Sequence, residues 1–342
     1  MARIVVLYNT DYDAEQAVLT GPDVTSVRDS AKAIASALVE MRHTVELMGV
    51  HGVDVYASLE RIASWRPELL FNLCESMDNN SLNEPTFAGL LDLFSIPYTG
   101  ADLLALASCL HKQRTKDILI AHRVPTPPYR YFANSASLDD VSLEALDYPW
   151  FVKLAHEDAS LGITEANVVT SVSELRARTR ALMAEYHQAV IAERYVEGRE
   201  INVTLLGNGD HVTTLPLFEI DFAAMPPDRP HIVSYAAKWE QSHVDYAGTI
   251  PVPLHNASAE LTAEIDRVAR AAYRAVDLRD YGRVDLRVDS AGIPWVIDVN
   301  PNPDISPDAG VPRAAAAAGM SYPQLIDRIA TIAMQRLRAQ VS

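Results

Sequence analysis

Two short apolar runs constrain this chain more than any other feature. Residues 282–288 read Gly-Arg-Val-Asp-Leu-Arg-Val, and residues 296–300 read Val-Ile-Asp-Val-Asn. Both are apolar enough for buried strands. Yet Arg283 and Asp285 stand two apart in the first, and Asp298 and Asn300 two apart in the second. Side chains alternate across a strand, so residues two apart share a face. Laid side by side, the two strands bring one guanidinium, two carboxylates and an amide to one patch. Asp285, Asp298 and Asn300 are hard oxygen donors of the kind that holds Mg²⁺ beside phosphate. The competing arrangement is a buried ion pair of Arg283 with Asp285 or Asp298, a costly way to gain stability. Clustered charge among Val, Leu and Ile favours a site. Pro301 and Pro303 turn the chain away at the end of the second run.

Strand and helix patterns alternate over the first hundred residues. Strands are expected over 3–8, 44–50 and 68–73, with helices over 26–41, 53–63 and 85–93. Such alternation implies a parallel sheet with helices on its faces. Ligands sit at the C-terminal strand ends of such sheets. That places residues 9–13 and 72–75 beside a site, unless they only cap turns. Beyond Gly100 a helix is expected over 101–121, broken by three prolines within 124–132. Strands over 150–154, 167–170 and 190–193 surround a helix over 172–185, making a small α+β unit. From Tyr195 onward come long β runs at 201–208, 211–220, 281–289 and 294–300. Helices over 257–276 and 322–338 flank them, and the alanine tract 314–319 reads as helix. The expected organisation is an α/β chain of three units, 1–100, 101–194 and 195–342.

A chain of 342 residues outgrows a single core, which agrees with that division. Its 29 Lys and Arg against 45 Asp and Glu leave a net charge of −16. So acidic a surface disfavours nucleic acid or an anionic membrane as partner, while leaving room for a local basic pocket. Cys74 and Cys109 form neither a C-x-x-C pair nor a zinc spacing, so buried thiols are expected. No stretch approaches the roughly 20 apolar residues of a membrane helix, and the first residues lack a cleavable signal pattern. A cytoplasmic protein is expected.

Phosphate beside a metal calls for cations. Lys153 ends the apolar run 150–153, and His-Glu-Asp-Ala-Ser-Leu-Gly follows at 156–162. Backbone N–H groups of such a small-residue loop could cover phosphates. Lys112 opens a helix, and Lys238 lies in a polar stretch, 234–242, expected to be mobile. A single lysine is ordinarily a solvated side chain, but Lys153 ends a buried strand. Neither G-x-x-x-x-G-K-[ST] nor G-x-G-x-x-G occurs, so the two commonest phosphate-loop architectures find no support. Residues 189–200 form a strand, a turn and the start of a second strand. This is either a linker able to hold adenine between two lobes, with an acid for the ribose, or an ordinary hairpin edge.

Taken in order, these segments resemble the ATP-grasp superfamily, most closely its D-alanine–D-alanine ligase branch. The resemblance is carried by 95–116, 148–162, 190–207, 281–303 and 314–329. It implies an N-terminal parallel-sheet lobe, a small central lobe and a C-terminal antiparallel-sheet lobe, with ATP held between the last two. It implies an ATP-dependent ligase that phosphorylates a carboxylate and lets an amine attack the acyl phosphate. By the same resemblance, Lys112 and Lys153 hold the phosphates. Glu193, Tyr195 and Val196 line the adenine pocket, and Glu200 binds ribose. Ser160 lies over the phosphates, and Lys238 reaches the γ-phosphate from a second loop. Asp285, Asp298 and Asn300 hold two Mg²⁺ ions, for which Mn²⁺ could substitute. Arg283 stabilises the oxyanion. The resemblance also implies a homodimer.

Departures from the branch fall elsewhere. The branch carries His-Gly after the third strand, where this chain has Glu75. Its glycine-rich early stretch is replaced by Asn-Thr-Asp-Tyr-Asp-Ala-Glu at 9–15. A glycine and a later serine correspond to Asp304 and Ala309. Phosphate-handling positions are thus kept while substrate positions change. The expectation is the same chemistry on other amino-acid-like or small-metabolite carboxylates and amines, with Glu75 and Asp304 suited to a cationic group. The alternatives are a strict D-alanine–D-alanine ligase and a non-catalytic ATP-binding regulator.

Overall fold

The computed structural model describes residues 1–10, 23–78, 80–139 and 142–341. Residues 11–15, part of the polar run expected beside a site, lie outside the described residues. The first lobe runs β1 (Arg3–Asn9), α1 (Asp23–Glu40), β2 (Thr44–Val50), α2 (Val55–Trp65), β3 (Leu69–Leu73) and α3 (Glu84–Leu93). The strands form a parallel sheet in the order β2-β1-β3. β1 is apolar without alternation because both its faces are covered. Ile4 and Val6 pack with Ala31 and Ile34 of α1, while Val5 and Leu7 face the cluster of Leu59, Ile62 and Phe87.

The helix expected over 101–121 is two helices, α4 (Leu103–Leu110) and α5 (Lys112–Ala121). His111 between them is extended, with φ −93° and ψ 90°. The backbone N–H of Lys112 donates across to Ala155 O at 3.1 Å instead of continuing the first helix. The break matters because it sets Lys112 at the start of a new axis, against the small-residue loop.

The central lobe holds β4 (Tyr129–Phe132), α6 (Ser135–Asp139), β5 (Trp150–Leu154), β6 (Val168–Val169), α7 (Val172–Tyr186) and β7 (Val190–Arg194). Its antiparallel sheet has the order β4-β7-β5-β6. β4 was hidden by the prolines before it. Pro125, Pro127 and Pro128 precede the strand, and among the described residues β4 pairs only with β7, so it is an edge where a lost donor is tolerated.

The third lobe holds β8 (Arg199–Asn208), β9 (His211–Thr214), β10 (Phe218–Asp221), α8 (Tyr235–Trp239), α9 (Val244–Ala247) and β11 (Ile250–Pro253). It continues with α10 (Ala259–Ala275), β12 (Tyr281–Val288), β13 (Pro294–Asn300), α11 (Gly310–Ala317) and α12 (Tyr322–Val341). The strand order is β11-β10-β8-β12-β13, all antiparallel, with β9 on β8. The run expected over 211–220 splits around Pro216, which has no N–H for a ladder. α10 buries Ile265, Val268, Ala269 and Ala272 in the cluster that holds Val284, Leu286 and Val299. α12 returns to the first lobe, where Ile326, Ile329 and Ala330 share the cluster of Ile4 and Val6. Cys74 and Cys109 are both buried, as expected.

Candidate active site

The four polar residues of β12 and β13 do converge. Asp285 pairs with Asp298, and Arg283 with Asn300, across the antiparallel ladder. A bulge follows, since Leu286 pairs with Val296 and Ile297 is left over. Strict alternation would put Val296 on the face of Asp298. The extra residue resets the phase, so Val296 is in the core, 1% exposed, while Asp298 stays on the cleft side.

Arg283 grips Asp285 with both arms, Nε to Oδ1 at 2.8 Å and Nη2 to Oδ2 at 2.9 Å. Asn202 and Asn300 donate to the same carboxylate at 2.8 and 3.0 Å. The ion pair that competed with a metal site is therefore real, but it occupies only Asp285. Burial works against the Arg283 guanidinium, and Asp285 with Asp298 outweighs it, holding the group above its usual range. Asp298 is the more open carboxylate. Burial pushes it up, but Lys112, Lys153 and Arg283 together hold it below the usual range. Among the described residues no three His, Cys, Asp or Glu side chains form an all-protein cage. Two carboxylates and one amide still suit Mg²⁺, which takes few protein ligands and shares phosphate oxygens. With its N–H₂ donating to Asp285, Asn300 keeps its carbonyl oxygen for such a role.

Three lysines line the cleft behind this patch. Lys112 Nζ lies 2.9 Å from Asp158 Oδ1, in the small-residue loop, and 3.9 Å from Asp298 Oδ1. Burial opposes its charge, and Asp158 with Asp298 raises it well past the usual lysine value. Lys153 Nζ reaches Glu193 Oε1 at 2.8 Å and Ile297 O at 3.1 Å. The third, Lys116, sits 2.5 Å from Glu193 Oε2 and donates to Thr126 Oγ1 at 2.9 Å. Burial pushes Glu193 up, yet Lys116 and then Lys153 keep its carboxyl below the usual range.

β7 leads from Glu193 into the connection expected to hold adenine. Val196 is buried, and the Tyr195 hydroxyl donates to His231 O at 3.0 Å. Glu200 is buried 3.8 Å from Arg287. Burial raises its carboxyl, and Arg287 only partly offsets that. Arg287 lies over the Tyr195 ring at 5.0 Å and donates to His231 O at 2.7 Å.

Two loops meet over the cleft. Ser160, at φ +63°, donates its hydroxyl to Val233 O at 2.9 Å. Trp239 Nε1 donates to Ala159 O at 3.2 Å, and Tyr235 N to Ile163 O at 3.0 Å. The stretch expected to be mobile thus holds the short helix α8, N-capped by Ser234. Lys238 keeps solvent access, while crowding and Arg283 pull its ammonium below the usual range. His156 sits against the His111 ring at 4.4 Å. Burial, His111 and Lys112 push it down to about 4, so it adds no charge at neutral pH.

The opposite end of the cleft is acidic. Glu75 is exposed just past β3. Glu84, at the start of α3, accepts from Asn302, and burial with nearby Glu75 raises its carboxyl. Asp304 is exposed and accepts from Ser306 N at 2.8 Å, which makes it the cap of its turn. Ala309 is the N-cap of α11 and contributes no side-chain bond. Gly100 needs its φ of +87° here, and a Cβ would lie 3.1 Å from Asn302 Oδ1. Lys116, Arg287, Asp158 and Glu84 escaped the sequence reading. Only Lys116 left a clear trace, four residues past Lys112 and hence on the same helix face.

Comparison with known proteins places this geometry. Residues 118–331 match the family described as D-ala D-ala ligase C-terminus. A D-alanine–D-alanine ligase of Ralstonia nicotianae is 33% identical over 255 residues, covering 74% of this chain and 72% of its own. An uncharacterized protein of Sinorhizobium fredii, y4sG, is 30% identical over 312 residues, covering 90% and 88%. The crystal structure of D-alanine–D-alanine ligase from Bacillus anthracis complexed with ATP superposes with a TM-score of 0.74 over 100% of both chains, at 21% identity. The three lobes and the cleft between the last two define an ATP-grasp enzyme, an ADP-forming ligase that makes carbon–nitrogen bonds. Within that class the chain belongs to the D-alanine–D-alanine ligase family.

Proposed function

We propose that this ligase joins an amino-acid-like carboxylate to an amine other than the D-alanine pair. The observation that carries the reading is one cleft in which Lys112, Lys153, Asp298 and Arg283 converge under two loops bonded to each other. A donor carboxylate oxygen attacks the γ-phosphorus of ATP, and the bond to ADP breaks. The amine lone pair then attacks the acyl carbon, phosphate leaves with the C–O bond, and the amine gives up a proton. Such chemistry rests on positioning and charge neutralisation. Lys112 and Lys153 hold phosphates, and Lys238 approaches the γ-phosphate. Ser160 and its loop exclude water that would hydrolyse the acyl phosphate. Glu193, Tyr195 and Val196 surround the base, and Glu200 takes the ribose. Arg283 faces the oxyanion. Bound at Asp285, Asp298 and Asn300, Mg²⁺ would neutralise phosphate charge.

Glu75, Asp304 and Ala309 stand at the substrate end, and the acid there favours a partner with a cationic group. A requirement for ATP fits a cytoplasmic location. We take 1–100, 101–194 and 195–342 as the three units, each holding one sheet. A homodimer is supported by an apolar strip at the end of α3 and the start of α4. Leu93 is 75% and Leu104 63% exposed there. Replacing both with glutamate is expected to leave a monomer in light scattering; an unchanged mass would place the contact elsewhere.

The direct test is ADP release with Mg²⁺ and ATP over pairwise pools of D- and L-amino acids, dipeptides and small carboxylates, with mass spectrometry of products. A mass equal to two substrates minus water, appearing with ADP, supports the reading. Rapid turnover with D-alanine alone would favour the strict ligase. Bound ATP with no turnover in any pool would favour a regulator. Lys153→Ala is expected to weaken ATP binding by about ten- to a hundredfold, the loss of one charged hydrogen bond. Unchanged affinity in calorimetry would remove it from the phosphate site.

A further inference from the structure

Glu193 has each carboxylate oxygen held by a different lysine, 2.8 Å from Lys153 and 2.5 Å from Lys116. The two lysines are anchored differently. Lys116, 3% exposed at its side chain, donates to Thr126 Oγ1, which donates in turn to Val296 O at 2.8 Å. That chain of bonds runs into β13 and gives Lys116 nowhere else to go. Lys153, 9% exposed, has its second contact at Ile297 O, beside the cleft. Lys112 and Lys116 lie one turn apart on α5, so one helix face serves both ends of the cleft. Lys112 meets Asp158 and Asp298, and Lys116 meets Glu193.

A buried carboxylate that loses one cation stays ionised only if a second remains. We propose that Lys116 is a positioning residue, the resident counter-ion that keeps Glu193 charged and fixed when Lys153 turns to a phosphate. Oε1, released by Lys153, is then an acceptor aimed at a donor on the base. This inference rests on the reading that ATP occupies the cleft with its base near Glu193. An adenine amine satisfies such an acceptor, whereas the carbonyl oxygen of guanine meets a charged oxygen and is rejected. Lys116 would therefore govern nucleotide affinity and base choice without touching the nucleotide.

The test is calorimetric titration of ATP and GTP into the full chain, with steady-state rates alongside, for Lys116→Met, Glu193→Gln and the double variant. In Lys116→Met, Lys153 cannot leave Glu193 without stranding a buried charge. ATP affinity should fall by about thirtyfold, and KM for ATP should rise while kcat at saturation stays within about threefold. In the double variant no charge is left stranded once Lys153 moves to the phosphate. That variant should bind ATP more tightly than Lys116→Met, and its preference for ATP over GTP should drop by about tenfold. Strictly additive losses in the double variant would overturn the proposal. So would a Lys116→Met protein whose ATP affinity and ATP-to-GTP ratio stay within about twofold of the parent. If Lys116→Met does not fold, the comparison shifts to the neutral double variant and Glu193→Gln, in which Lys116 is the stranded charge. The proposal requires the double variant to bind ATP at least as tightly, and weaker binding refutes it. A parent protein that binds no ATP overturns the underlying reading as well. A parent that binds, with an additive cycle, overturns only the role of Lys116.

Discussion

Replacing Asp298 with alanine should lower kcat/KM for ligation by about three orders of magnitude, the effect of losing roughly 4 kcal/mol of charge stabilisation. Asp298 is the site carboxylate not gripped by an arginine, and its side chain is 27% exposed. It is the oxygen donor best placed to take a metal without first breaking an ion pair. Asp285 would have to loosen Arg283, Asn202 and Asn300 to do the same. The fold should survive the change, because Lys112 keeps Asp158 at 2.9 Å as its counter-charge. The measurement is ADP formation against Mg²⁺ concentration, with a thermal melt as control. Turnover within about threefold of the parent, with an unshifted metal dependence, would remove Asp298 from the metal site.

The largest loss of stability should come from Asp280→Ala, at a residue with no part in the proposed chemistry. Asp280 is 0% exposed and is the junction of three parts of the chain. Arg336 of α12 donates to it twice, at 3.0 and 2.9 Å. Asn208 of β8 donates at 3.0 Å, and the backbone N–H of Gly100 at 3.0 Å. Arg336 also reaches Tyr98 O at 2.8 Å, so the cluster ties the first lobe to the third. Alanine would strand the Arg336 guanidinium, at a cost of about 3–5 kcal/mol. A fall of about 4–7 °C in melting temperature is expected. Asp280→Asn, which keeps the acceptor, should lose less. A melt of Asp280→Ala within about 1 °C of the parent would show that the lobes are held together by other means.

Much of the scaffold was legible because its signals are local. β1, β2 and β3 announce themselves as short apolar runs, and α10 and α12 as stripes at helical spacing. The face shared by Asp298 and Asn300 follows from the strand period alone. What escaped depended on partners distant in sequence. β4 reads as a proline-broken loop until β7 lies beside it. The break at His111 is invisible until Ala155 O takes the N–H of Lys112. α8 and α9 are too short to show a period. Arg287 looked like any charged residue alternating along a strand. Only the packing of Tyr195 and Phe222 over its guanidinium, at 5.0 and 5.9 Å, marks it as buried.

The sequence by itself determined the kinds of groups this protein brings to its cleft and the order of the elements that carry them. Periodicity and turn chemistry act over a few residues, and residue type sets charge and ligand hardness, so both can be read along the chain. Tertiary structure alone decided which of those groups meet. It spent Asp285 on Arg283 and left Asp298 open. It reset the phase of β13 with a bulge, and placed a second lysine behind Glu193. These outcomes depend on pairing register and on the balance between desolvation and ion pairing among residues far apart in the chain, such as Lys112 and Asp298 or Thr126 and Val296. That balance exists only once the strands and helices are packed.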